Sequence, residues 1–197
     1  MSGSELPKIH PLRWTRELQW HRQREALIMI ELLVLDVDGV LTDGGLWFDA
    51  SGALQKRFDV RDGLGLRLLQ KERLTLAFLS GGQGGATEVR ANQLGIDHCL
   101  VGIKDKQAAL TELQQQLNLS YSQTAFIGDD LNDLIVRPLV KLLVAPADAC
   151  HPLRSQADAV LQCCGGHGAV REFAERLLKA RGRWDQLRKQ GWRDCNG

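Results

Sequence analysis

The architecture of this chain is indicated by one passage, Leu32-Leu33-Val34-Leu35-Asp36-Val37-Asp38-Gly39. Its first four residues form an apolar run that is typical of a strand buried in a parallel sheet. Asp36 and Asp38 follow two residues apart, so on an extended chain their side chains point the same way. Gly39 allows a sharp turn directly after them. The passage predicts two carboxylates facing a crevice at the carboxyl end of a strand, where open α/β sheets bind ligands. The alternative is a surface turn, since Asp and Gly are ordinary turn residues.

A second group of carboxylates has the same setting. The segment Gly128-Asp129-Asp130-Leu131-Asn132-Asp133 follows the apolar run 124–127, which predicts another buried strand. Acids that lie close together raise one another's pKa, so a divalent cation would stabilise them. Mg²⁺ suits such a site because it uses few carboxylates and keeps several waters. The alternative is that acids such as Asp133 only complement a helix N-terminus.

Two residues between these groups are candidates for holding an anion. Ser80 follows the apolar run 74–79, and a hydroxyl beside backbone N–H groups at a helix start can hold a phosphate. Lys106 precedes a helical pattern, and its positive charge could pair with an anion. The alternatives are a plain glycine-rich loop at Ser80 and a solvated surface lysine at Lys106, with Lys104 as a rival.

The chain alternates between strand-like and helix-like segments. Strands are predicted near residues 32–36, 74–79, 98–101, 124–127, 141–144 and 158–161. Helices are predicted near residues 62–72, 84–94, 105–117, 130–137 and 168–180. This alternation predicts an α/β fold, a Rossmann-like three-layer sandwich with a central parallel sheet.

Residues 44–60 break this alternation. An aromatic run, a polar turn at Gly52 and a mixed run predict a β-hairpin. Such a hairpin would expose its large apolar side chains unless another surface covered them. These side chains are Leu46, Trp47, Phe48 and Phe58. We therefore expect self-association through the 46–58 hairpin.

Composition is typical of a globular protein of about one domain. The chain has 197 residues, of which 44% are hydrophobic and 25% charged, and its net charge is +1. This balance predicts no nucleic acid partner. No apolar run approaches the roughly 20 residues of a spanning helix, so no membrane partner is expected. Five cysteines without a C-x-x-C pair or a secretory pattern predict free thiols and a cytoplasmic location.

The motifs D-x-D-G-x-L-x-D at 36–43 and G-D-D-x-x-D at 128–133 resemble those of the haloacid dehalogenase superfamily of phosphotransferases. The stretches F-D-V-R-D-G-L-G at 58–65, A-D-A at 147–149 and G-G-H-G-A-V-R-E at 165–172 narrow the resemblance. They are similar to its capless subfamily of 3-deoxy-D-manno-octulosonate 8-phosphate phosphatases, over roughly residues 30–180. The resemblance implies Mg²⁺-dependent hydrolysis of this sugar-acid phosphate, for lipopolysaccharide synthesis. It also implies a homotetramer in which the β-hairpin stands in place of a cap domain.

The same resemblance implies a role for each candidate residue. Asp36 would be the nucleophile, and Asp38 would protonate the leaving oxygen and later act as a base. The metal would be held by Asp36, by Asp129 and by the backbone carbonyl of Asp38. Ser80 and Lys106 would hold the phosphoryl group. Asp130 and Asp133 would support the metal or orient Lys106. Arg61 would contact the substrate across a subunit interface, and Arg171 would bind its carboxylate.

The two ends of the chain carry tryptophans among basic residues. The predicted division is an N-terminal extension over residues 1–29, a phosphatase domain over 30–180 and a basic C-terminal tail over 181–197. Basic segments with interleaved aromatics can bind nucleic acid. Packing between subunits or poor order is favoured here, because neither end has a recognised binding motif.

One position departs from the subfamily, whose members continue Ser80-Gly81 with an arginine where this chain has Gly82. Two alternatives therefore stay open. One is a phosphatase of the same fold for another substrate, such as an N-acylneuraminate or related keto-acid 9-phosphate. The other is a catalytically weak homologue with an interaction or regulatory role. The intact Asp36, Asp38, Lys106 and Asp129 argue against the second alternative.

Overall fold

A computed structural model describes residues 11–191 of the chain, with side chains for residues 17–189 and 191. Its strands are β1 (Leu32–Leu35), β2 (Trp47–Phe48), β3 (Leu54–Gln55), β4 (Thr75–Leu79), β5 (His98–Leu100), β6 (Thr124–Ile127), β7 (Leu142–Ala145) and β8 (Ala159–Val160). Within the described residues, six of them form one sheet in the order β5-β4-β1-β6-β7-β8. Every neighbouring pair in that sheet is parallel, which confirms the predicted α/β fold class.

The register of the sheet brings the motif residues together. Leu35 at the end of β1 lies opposite Phe78 of β4 and Ile127 of β6. The residues that follow these strands therefore leave the sheet side by side at one edge. This is the physical reason that carboxylates from two distant motifs share one site.

Helices cover both faces of the sheet. They are α1 (Pro11–Arg22), α2 (Arg24–Met29), α3 (Val60–Lys71), α4 (Ala86–Leu94), α5 (Lys106–Leu117), α6 (His151–Gln156), α7 (Ala169–Ala180) and α8 (Trp184–Gln190). Leu33 of β1 belongs to a buried cluster with side chains of α3 and α7. The next residue, Val34, points the other way and belongs to a cluster with Leu110 of α5. The three layers predicted from the sequence are therefore present.

Some local features differ from the predictions. The segment predicted as a helix near 130–137 is a 3₁₀ helix over Leu131–Leu139, and it contains Pro138. Proline removes a backbone N–H donor and disfavours an α-helix interior, which accounts for the tighter turn. The short helix α6 was not predicted, because six residues are too few for a clear apolar period.

The described parts of the two ends pack onto the domain. Trp20 of α1 is buried, and its ring centroid lies 6.4 Å from that of Phe173 of α7. Trp184 of α8 is half-buried beneath the Lys179 ammonium. The side chains of Trp14 in the predicted N-terminal extension and of Trp192 in the predicted C-terminal tail lie outside the described residues. The division at residues 29 and 181 stays a prediction.

The predicted hairpin is present, since β2 pairs with β3 in antiparallel fashion. It stands apart from the main sheet, and Leu46, Trp47 and Phe48 are 54%, 66% and 66% exposed. None of the described helices has both the length and the apolar character needed to cross a bilayer.

Candidate active site

Asp36 is the first residue after β1, and the sheet itself fixes its place. Its backbone N–H donates to the carbonyl of Ile127 at 2.9 Å, which continues the ladder between β1 and β6. The chain then turns back, because the N–H groups of Leu41 and Thr42 both donate to the carbonyl of Val37. Gly39 has φ +89°, and a Cβ there would overlap the carboxylate of Asp129. This turn brings the first motif against the acids that follow β6.

Asp36, Asp129 and Asp133 form a compact carboxylate cluster. One oxygen from each lies within 4.8 Å of the other two. Burial, and then the neighbouring carboxylates, raise the pKa of Asp36 to about 6 and the pKa of Asp129 to about 8. Positive charge beside the cluster would favour the ionised forms of Asp36 and Asp129. Their hard oxygen donors fit a divalent cation such as Mg²⁺.

Lys106 supplies part of the positive charge. It is the first residue of α5, whose N-cap Asp105 accepts the N–H of Ala108 at 3.0 Å. Its buried Nζ lies 2.9 Å from Asp36 Oδ1 and 2.6 Å from Asp133 Oδ1. Burial alone would lower the pKa of Lys106, but the charges of both acids outweigh it, and the pKa is raised. The rival candidate, Lys104, is exposed.

The other two acids of the second motif organise the loop after β6. Asp133 is fully buried, and its Oδ2 accepts the N–H of Asp129 at 2.9 Å. Asp130 Oδ1 accepts the N–H of Leu131 at 2.7 Å and so caps the 3₁₀ helix. Both acids thus cap the start of the 3₁₀ helix, and Asp133, for which that alternative was raised, also contacts Lys106.

Ser80 follows β4 at the same edge of the sheet and is buried. Its Oγ accepts the N–H of Gly82 at 3.1 Å. The loop is tied to the segment after β5, because Ile103 N–H donates to Ser80 O at 3.0 Å and Gly102 N–H donates to Gly82 O at 2.8 Å. These bonds hold the Ser80 loop in place without using its hydroxyl proton, which stays available to an anion.

Asp38 has a partner that the sequence analysis missed. Lys56, the residue after β3, lies 2.8 Å from Asp38 Oδ1 and 2.9 Å from Asp38 Oδ2. Its side chain is only 1% exposed. A signal was present in the alternation of the hairpin, since Lys56 shares one face with the partly buried Leu54 and Phe58. A cation on the inward face of a strand needs an anion, and here that anion is Asp38.

The glycine-rich segment 165–168 backs the turn that carries Asp36 and Asp38. Gly166 N–H donates to the carbonyl of Val40 at 2.9 Å. Gly166 has φ +62°, and a Cβ there would collide with the backbone of Thr42. The segment is anchored from α3, where buried Asp62 accepts the N–H groups of Gly168 at 3.2 Å and Arg171 at 2.8 Å.

The two predicted substrate-binding arginines lie near this segment. Arg61 pairs with Asp59 at 2.7 Å and donates to the carbonyl of His167 at 3.1 Å. Arg171 pairs with Glu175 at 3.0 Å. Both line a cleft of about 820 Å³ whose lining includes neither Asp36 nor Asp129. Within this chain the two arginines therefore share one cleft, which is separate from the carboxylate cluster. Their roles in substrate binding stay predictions.

Comparisons with known proteins agree with this geometry. Residues 102–172 match the family model of haloacid dehalogenase-like hydrolases. The chain is 41% identical to the 3-deoxy-D-manno-octulosonate 8-phosphate phosphatase of Escherichia coli strain K12, over 82% of this chain and 86% of the relative.

Two solved structures extend the comparison. The phosphatase of that name from Yersinia pestis has a TM-score of 0.80 and 40% identity, over 82% of this chain and 88% of the other. The enzyme from Moraxella catarrhalis, solved with magnesium, phosphate and a KDO molecule, has a TM-score of 0.84 and 35% identity, over 86% and 98%. The chain therefore belongs to the 3-deoxy-D-manno-octulosonate 8-phosphate phosphatase family of the haloacid dehalogenase-like hydrolases.

Proposed function

We propose that this protein is a Mg²⁺-dependent phosphatase that hydrolyses 3-deoxy-D-manno-octulosonate 8-phosphate through an aspartyl-phosphate. The observation that carries the proposal is the buried Lys106 ammonium, which joins Asp36 and Asp133 at 2.9 and 2.6 Å. It places positive charge beside the candidate nucleophile, where a phosphoryl group needs it. The substrate is supported by the relatives, whose name specifies this sugar-acid phosphate.

The proposed reaction has two steps. An Asp36 oxygen attacks phosphorus and forms an acyl phosphate, while the bond from phosphorus to the sugar oxygen breaks and that oxygen takes a proton from Asp38. A water then attacks phosphorus and gives its proton to Asp38. The bond from phosphorus to Asp36 breaks, which releases phosphate and restores the carboxylate. Ser80 and Lys106 hold the phosphoryl oxygens in both steps.

The proposed metal ligands are the side chains of Asp36 and Asp129 and the backbone carbonyl of Asp38. Mg²⁺ bound there would supply charge neutralisation for the phosphate and for the three clustered carboxylates. Asp133 and Asp130 would support this arrangement from the loop after β6, through the contacts with Lys106 and with the loop N–H groups.

Arg61 and Arg171 are proposed to contact the sugar acid. A guanidinium is suited to bidentate pairing with its carboxylate. Each arginine would have to give up an acidic neighbour, Asp59 for Arg61 and Glu175 for Arg171. This exchange is easier for Arg61, whose side chain is 60% exposed.

The test of this function is a substrate panel. We expect phosphate release with Mg²⁺ to be at least about tenfold more efficient, in kcat/KM, for the eight-carbon sugar-acid phosphate than for an N-acylneuraminate 9-phosphate or glucose 6-phosphate. A chelator should abolish release. The second candidate function, for which Gly82 is the reason, is hydrolysis of the 9-phosphate. A preference for that ester would leave the proposed mechanism in place and change only the proposed substrate. Release from none of these esters would contradict the proposal.

We also propose that the protein is a homotetramer assembled through the 46–58 hairpin and that it acts in the cytoplasm. Support for assembly comes from the exposure of Trp47 and Phe48, because a two-stranded hairpin is marginal in water unless its apolar side chains pack on something. Support for the location comes from the free thiols of Cys99, Cys150 and the neighbouring Cys163 and Cys164.

Replacing Trp47 and Phe48 together with serine tests the assembly. We expect the mass in light scattering to fall toward the 21.9 kDa of one chain, and phosphatase activity to fall with it. Tyr121→Ser is the matched control, because Tyr121 is an exposed aromatic on a distant 3₁₀ turn, Tyr121–Gln123. An unchanged mass in the double variant would exclude the hairpin interface.

A further inference from the structure

We infer that Lys56 is a positioning residue that holds Asp38 in the orientation from which it acts as the base of the second step. The inference rests on the proposed two-step hydrolysis and extends it to the hairpin. It assigns a function to a lysine outside the sequence motifs of the site.

The ammonium of Lys56 is held by a carboxylate and a hydroxyl. It donates to Asp38 Oδ2 at 2.9 Å and to Thr87 Oγ1 at 3.2 Å, and it lies 2.8 Å from Asp38 Oδ1 as an ion pair. The lysine side chain is 1% exposed and Thr87 is fully buried. A buried ammonium that bonds both a carboxylate and a hydroxyl is restrained in position, because leaving either acceptor would leave a buried polar group without a partner. Because Nζ contacts both oxygens of one carboxylate, it fixes the rotation of that carboxylate as well.

The identity of residue 82 fits this arrangement. A Cβ on Gly82 would lie 2.9 Å from Asp38 Oδ2 and 3.4 Å from Lys56 Nζ. A side chain at this position would push against the ion pair. Glycine at this position leaves room for the ion pair between Lys56 and Asp38.

The orientation of Asp38 matters most for the second step. The base of that step must be aimed at the attacking water, and Lys56 fixes the direction of the Asp38 carboxylate. The first step needs no help from Asp38 when the leaving group departs without a proton. Lys56 therefore contributes most to the hydrolysis of the aspartyl-phosphate, and least to its formation when the leaving group needs no proton.

The reaction with 4-nitrophenyl phosphate separates the steps, because 4-nitrophenolate leaves without a proton. We expect Lys56→Met to lower kcat for this ester by about tenfold or more, while kcat/KM stays within about threefold, so the apparent KM falls with kcat. Rapid mixing should show a burst of 4-nitrophenolate, and acid-quenched protein should carry more phosphate than wild type. Lys141→Met, at an exposed lysine, should change neither constant.

A second variant guards against misfolding. Thr87→Val keeps the shape of the residue but removes one partner of the ammonium, and it should lower kcat in the same selective way by a smaller factor. An equal fall of kcat and kcat/KM in both variants, or no change in either, would overturn the inference. Wild-type protein that forms no phosphoenzyme would overturn the proposed chemistry together with it. If wild-type protein forms the phosphoenzyme and both variants have wild-type kcat and kcat/KM, only the role of Lys56 would be overturned.

Discussion

Asp36→Asn is expected to abolish phosphate release, by at least about 10⁴-fold in kcat, because an amide cannot form the acyl phosphate. The fold should survive. Burial of the charged form is the main reason that the pKa of Asp36 is raised, so a neutral side chain of the same shape removes that cost. Lys106 keeps Asp133 as a partner at 2.6 Å.

The measurement for Asp36→Asn combines phosphate release with thermal unfolding and acid-quenched labelling from ³²P-labelled substrate. Wild-type protein should carry label and the variant none, while both melt within a few degrees of each other. Asp97→Asn, at an exposed acid, serves as the matched control and should leave turnover unchanged. Turnover of the Asp36 variant within a factor of ten of wild type would rule out covalent catalysis by this residue.

Lys106→Met is expected to lower kcat by about 10²–10³-fold, the usual cost of removing one preorganised positive group from a phosphoryl-transfer site. The methionine fills the same space, but Asp36 and Asp133 lose their shared ammonium. Since Lys106 lowers the pKa of Asp36, its removal should raise that pKa further. The acidic limb of kcat/KM should then move to higher pH, because more base is needed to ionise the nucleophile.

The check for Lys106 is a pH profile of kcat/KM for the variant beside Lys104→Met. Lys104 is two residues away and exposed, so its replacement should leave both the rate and the profile unchanged. A loss of rate in both variants, or an acidic limb that does not move, would mean that Lys106 does not act on Asp36.

The features of this protein that could be predicted are those that follow from short, contiguous stretches of sequence. Strand β1 and the acids after it are contiguous, and the parallel register then places Asp36 beside the loop of Asp129 without further information. A motif marks the position of Lys106. The alternation of the hairpin indicates that Lys56 faces inward, but its pairing with Asp38 depends on where the hairpin folds in space, which no local pattern states.

The rest depends on tertiary context in the same way. The 3₁₀ form of Leu131–Leu139 follows from Pro138 and from the capping by Asp130, which compete with an α-helical period. The position of Arg171 depends on Glu175, one turn further along α7, and on Trp184, whose ring centroid lies 5.6 Å from the guanidinium carbon of Arg171. Neither could be read from the order of motifs alone.

The backing of the Asp36 turn by residues 165–168 has a consequence for biosynthesis. Protein synthesis proceeds from the N-terminus, so residues 36–43 leave the ribosome well before the segment that supports them. Until Gly166 is synthesised and bonds to Val40, the turn lacks that support. Asp62 of α3 likewise lacks its partners, the N–H groups of Gly168 and Arg171. The growing chain therefore gains a complete catalytic centre only when most of its length has been translated.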